Sequence, residues 1–106
     1  MKLHLEKPWL TLDADAVAKL PGQLGVFQLA DDSGRVLYIG FAGGKSLFGL
    51  RSELEKRIGT APQFRYEVNQ QYQTRWRELL MLHQAAFGAL PEFNQREPLP
   101  RLGRLG

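Results

Sequence analysis

Two short apolar blocks, Gly25-Val26-Phe27 and Tyr38-Ile39-Gly40, constrain this chain more than any other feature in it. Between them runs Ala30-Asp31-Asp32-Ser33-Gly34-Arg35, a polar stretch with a single glycine. An apolar run, turn-forming residues and a second apolar run make the pattern of a β-hairpin. Each block holds a glycine and an aromatic residue, in mirrored order. Antiparallel pairing then brings Phe27 and Tyr38 close together in space. The hairpin is predicted over residues 24–30 and 35–40.

The remaining elements follow from periodicity and breakers. Residues 1–12 read as extended, with His4, Pro8 and Trp9 among them. Asp13 is placed to cap a short helix over residues 14–20, which Pro21-Gly22 ends. A glycine-rich loop, Phe41-Ala42-Gly43-Gly44-Lys45-Ser46, precedes a predicted helix over 47–58, where Leu47, Leu50, Leu54 and Ile58 recur at helical spacing. Gly59-Thr60-Ala61-Pro62 breaks it, and Phe64-Arg65-Tyr66-Glu67-Val68 alternates as a third strand does. The longest helix is predicted over 74–87, stopping at Gly88. Its residues Trp76, Leu79, Leu80, His83 and Phe87 share one face, so His83 reads as a core histidine. The order gives an α+β fold with a small three-stranded antiparallel sheet and flanking helices. Residues 1–94 form the single domain, and residues 95–106 form a flexible basic tail rich in Pro and Gly.

A chain of 106 residues holds one small core. Without cysteine it has neither a disulfide frame nor a thiolate metal site. The start MKLHLEKPWL is not a signal peptide, and no apolar run is long enough to span a bilayer. A cytoplasmic protein with no membrane partner is expected. Fourteen Lys and Arg against eleven Asp and Glu give a net charge of +3. That balance permits DNA or RNA as a partner but provides only modest long-range attraction.

The hairpin blocks, together with Leu20-Pro21-Gly22-Gln23-Leu24 before them and Leu90-Pro91-Glu92-Phe93-Asn94 near the end, resemble the GIY-YIG nuclease superfamily. The likeness covers residues 20 to 94, and its Leu-Pro lead-in is similar to that of the bacterial excision-repair incision nuclease. Such domains hydrolyse a phosphodiester with one divalent ion, Mg2+ or Mn2+ when active. The chemistry needs a base for water, a cation for the phosphate and a carboxylate for the metal.

The resemblance makes Tyr38 the second tyrosine of the site and places Phe27 where the first would stand. Phenylalanine keeps the ring but cannot relay a proton. Arg51 matches the phosphate-holding arginine, with Arg57 as the other candidate. Counting back from Asn94 to the family's metal glutamate lands on Leu82 and His83, neither of them a carboxylate. Glu78 lies one turn earlier, about 5.4 Å along the helix, and is the candidate metal ligand. Asn94 matches the closing asparagine, whose amide can instead pin the C-terminal turn. Lys45 and the backbone of its loop can hold one phosphate. Gly40 is one residue too close to Gly44-Lys45-Ser46 for a nucleotide-binding P-loop. Arg75, with Arg65, Tyr66, Tyr72, Trp76 and Arg77, interleaves cations with aromatic rings, as nucleic-acid surfaces do.

These implications predict a catalytically impaired domain that binds nucleic acid or serves a structural role. An active metal-dependent endonuclease is the second reading. A protein-interaction module without a nucleic-acid role is the third.

Overall fold

The computed structural model describes Leu5 and residues 7–97. His4 and residues 98–106 of the expected basic tail lie outside the described residues. The elements are β1 (Leu10–Thr11), α1 (Ala14–Ala18), β2 (Gly25–Ala30), β3 (Val36–Ala42), α2 (Gly49–Glu55), β4 (Gln63–Val68) and α3 (Tyr72–Phe87), followed by a 3-10 turn at Asn94–Arg96.

The sheet is antiparallel, in the order β1-β4-β2-β3. It has four strands where three were expected. The extra one is the two-residue β1, which pairs Leu10 with Phe64 and Thr11 with Gln63. A strand this short, following Pro8, has no alternation from which it could be read.

The hairpin forms as the sequence predicts. Phe27 faces Gly40 and Leu29 faces Tyr38 across the β2–β3 pair. Its turn is closed by the Asp31 carboxylate, which accepts hydrogen bonds from Ser33 N–H at 2.9 Å, Ser33 Oγ at 2.6 Å and Arg35 N–H at 3.0 Å. The Ser33 hydroxyl and then the Arg35 amide hold this carboxyl below its usual pKa. Glycine is required at position 40. A Cβ there would lie 2.5 Å from Phe27 Cζ and 2.6 Å from Tyr38 Cε2. Its absence lets both rings lie against the β3 backbone, with centroids 5.9 Å apart.

The sheet separates two apolar clusters. On one face Phe27, Leu29, Tyr38 and Phe64 pack with Val17 of α1 and with Leu50 and Leu54 of α2. On the other Val26 and Ile39 pack with Trp76, Leu79 and Leu80 of α3. Asp13 caps α1 by accepting from Ala16 N–H at 2.8 Å. α3 ends at Gly88 as predicted. Its apolar stripe leaves the core before the helix ends: Phe87 is 74% exposed. His83 is half-buried, with Nδ1 3.0 Å from the Ala89 carbonyl. Among the described residues, no helix is long and apolar enough to cross a membrane.

Asn94 finishes the outer edge of β3. Its Oδ1 accepts from Ile39 N–H at 2.8 Å and its Nδ2 donates to Ile39 C=O at 2.9 Å. One buried side-chain amide thus does what a neighbouring strand would do. Phe93 N–H donates to Leu37 C=O at 2.9 Å beside it, and Trp76 Nε1 donates to the second lone pair of Ile39 C=O at 2.9 Å. This is the pinning role, and it places the Asn94 amide in the sheet.

Candidate functional site

An open cleft of about 590 Å³ lies beside β3, bounded by the loop after it, the end of α2 and the start of α3. Tyr38, Phe41, Lys45, Glu53, Lys56, Arg57, Tyr72 and Glu97 line it. The loop is tied to both helices: Gly44 N–H donates to the Tyr72 hydroxyl of α3 at 3.2 Å, and Ser46 Oγ donates to Glu53 of α2 at 3.0 Å. Tyr72 stacks on Phe41, with centroids 5.4 Å apart, which gives the α3 side an aromatic wall.

The corner of the cleft is a three-residue group. Arg57 lies just after α2, with its guanidinium carbon 4.4 Å from the centre of the Tyr38 ring. One of its N–H groups donates to the Tyr38 hydroxyl at 3.1 Å, and that hydroxyl donates to Glu97 Oε2 at 3.0 Å. Arg57 also pairs with Glu97 Oε1 at 3.6 Å. Lys45 on the loop is exposed, and Lys56 pairs with Glu53 at 3.1 Å.

Burial is the main cause that pushes the Tyr38 hydroxyl from its ordinary 10.0 up to about 12, with Arg57 opposing and Glu97 adding to the rise. Above the ordinary value the unfolded chain releases this proton while the folded chain keeps it. The stability that Tyr38 contributes is therefore complete below pH 10 and is lost as the pH rises towards 12. The loss is on the order of 2 kcal/mol. Urea melts at about pH 9 and about pH 11.5 are expected to show the wild type losing more stability than Tyr38→Phe. Parallel losses in the two proteins would show that the hydroxyl is not held in this way.

The structure brings together only part of the site read from the sequence. Phe27 and Tyr38 share one face, and Arg57 and Lys45 join Tyr38 at the cleft. Arg51 does not join them. Its Nε donates to Leu20 C=O at 3.2 Å behind α1, and its guanidinium lies over the Phe48 ring at 5.5 Å. The reason is the start of α2: Gly49, at φ +54, packs its backbone against Gln23, and Leu50 N–H donates to Gln23 C=O at 2.9 Å. The helix begins there rather than at residue 47, which leaves Leu47 82% exposed.

Arg75 and Glu78 belong to the other face of the sheet. Arg75 donates to Glu67 at 3.0 Å and pairs with Glu78, and its side chain is only 10% exposed. Arg75 is thus nearly buried between two carboxylates and does not line the cleft. Glu78 does not face Tyr38 across a cleft. Among the described residues, no three His, Asp or Glu side chains gather as a cation site would require. The interleaved surface is dispersed as well. Trp76 is in the core, Arg65 donates to the buried Gln28 at 2.8 Å beneath Trp9, and only Tyr72 reaches the cleft. The sequence reading missed Lys56, Glu53, Phe41 and Glu97. Only Lys56 had a signal, as the neighbour of Arg57.

A family model described as "Domain of unknown function (DUF7508)" matches residues 2–86. The chain belongs to the DUF7508 family. No curated protein and no solved structure matches it. The GIY-YIG resemblance is thereby corrected: the matching family is DUF7508, and no GIY-YIG family match accompanies it. The geometry is in accord with that correction, since Phe27 is a core ring, the Asn94 amide seals the β3 edge and Glu78 is paired on the far face. Tyr38 and Arg57 lie within the DUF7508 match, whereas Asn94 and Glu97 follow it.

Proposed function

We propose that this domain binds nucleic acid through the cleft beside β3 without hydrolysing it. The observation that carries the reading is the placement of Lys45, Lys56 and Arg57 around one cleft whose far wall is aromatic. Cations spaced along a groove neutralise successive phosphates, and exposed ring faces accept bases regardless of sequence. The two carboxylates there are tied up, Glu53 with Lys56 and Ser46 and Glu97 with Arg57 and Tyr38. The Tyr38 hydroxyl, held protonated, is poorly suited to take a proton from water. These features favour binding over phosphodiester cleavage.

Fluorescence anisotropy with a labelled single-stranded oligonucleotide tests the reading. Three phosphate contacts on a single strand predict a log–log salt slope of about −2, or roughly a 20-fold loss of affinity between 50 and 200 mM salt. Absence of binding at low ionic strength would favour the protein-interaction reading instead.

A further inference from the structure

We infer that the Glu97 carboxylate is an internal stand-in for a phosphate, occupying the anion site formed by Arg57 and the Tyr38 hydroxyl, and that an anionic ligand must displace it. The inference rests on the cleft being the binding surface and says what happens at its corner.

The geometry is that of a bound anion. One Glu97 oxygen accepts from the Tyr38 hydroxyl at 3.0 Å, and the other pairs with the Arg57 guanidinium at 3.6 Å. Two acceptor oxygens thus span two donors on different elements, as two non-bridging oxygens of a phosphate would. Arg57 is itself fixed by the face of the Tyr38 ring at 4.4 Å and by the hydroxyl at 3.1 Å, so it stays in place when its partner leaves. Glu97 is the movable member. It follows the 3-10 turn, its side chain is 42% exposed, and its segment is anchored upstream by Asn94 on Ile39. An exposed ion pair of this kind contributes little free energy and yields to a competing anion.

Two consequences follow. Affinity for an anion at this corner is reduced by the fraction of time that Glu97 occupies it. Ligand binding also frees the Glu97 side chain from the corner of the cleft, so occupancy of the cleft is linked to the position of that carboxylate.

Full-length wild type, Glu97→Gln and Glu92→Gln are compared in two titrations. Glu92 pairs with Arg96, away from the cleft, and its substitution removes the same charge. The first titration uses a labelled single-stranded oligonucleotide at fixed low salt. The second uses inorganic phosphate, followed through the Arg57 Nε–H resonance. Glu97→Gln is expected to bind both probes about 3- to 10-fold tighter than wild type, and Glu92→Gln within about twofold of it. Equal phosphate affinities for Glu97→Gln and wild type, or equal gains in the two variants, overturn the inference whatever the oligonucleotide does. Tighter phosphate binding by Glu97→Gln with no oligonucleotide binding by any variant supports the anion site and sinks the nucleic-acid reading alone.

Discussion

Asn94→Ala is expected to lower the stability of the domain by about 3 kcal/mol, the larger part from one orphaned group. Ile39 N–H points away from β2 on the outer edge of β3, and the Asn94 side chain answers it. Asn94 and Ile39 are both fully buried, so water does not readily replace the amide. Ile39 C=O keeps its bond from Trp76, but the N–H keeps nothing. An unsatisfied buried donor costs about 1–3 kcal/mol, and the void left by the truncated side chain adds to it. Denaturant melts measure the change, and a thermal midpoint lower by roughly 10–20 °C should accompany it. A loss below about 1 kcal/mol would mean that the edge relaxes or hydrates without the amide.

Arg57→Ala is expected to weaken oligonucleotide binding by at least about tenfold, with Arg51→Ala within about twofold of wild type. The sequence ranks Arg51 first and Arg57 second, but their surroundings set them apart. Arg57 reaches the Tyr38 hydroxyl at the cleft, and its loss also leaves the Glu97 carboxylate to repel an incoming phosphate. Arg51 is bonded to Leu20 C=O behind α1. Its truncation should instead cost about 1 kcal/mol of stability through that hydrogen bond. Anisotropy and urea melts on both variants give the comparison. The opposite ranking of affinities would move the binding surface to the Leu20–Phe48 side of α2.

Local chemistry was legible in the sequence, and the positions of packed elements were not. The hairpin followed from Asp31-Asp32-Ser33-Gly34 between apolar runs, and Asp31 closes that turn. The Asp13 cap, the stop at Gly88 and the inward face of Trp76 are equally local. Which face of the sheet α3 covers is a tertiary choice, so Glu78 could be placed on a helix but not opposite Tyr38. The start of α2 is fixed by Gly49 against Gln23, a contact across 26 positions of chain that no periodicity encodes. Glu97 had no signal at all. It became part of the cleft because Asn94, three residues earlier, docks on β3. The family resemblance misled because a glycine–aromatic hairpin satisfies a packing need, two rings over Gly40, before it satisfies any chemical one.

The seal on the β3 edge also sets an order of events. β3 is the terminal strand of the sheet, and the groups that close it, Phe93 N–H and the Asn94 amide, come from residues that follow α3. During synthesis every strand and helix of the sheet's two faces has emerged before this closure is made. A newly made or refolding chain whose strands have paired, but whose Asn94 has not docked, presents bare polar groups at Leu37 and Ile39 to any neighbouring chain. Such an edge is a template for intermolecular pairing. Any self-association through this edge is therefore expected in the interval between sheet formation and the docking of one asparagine.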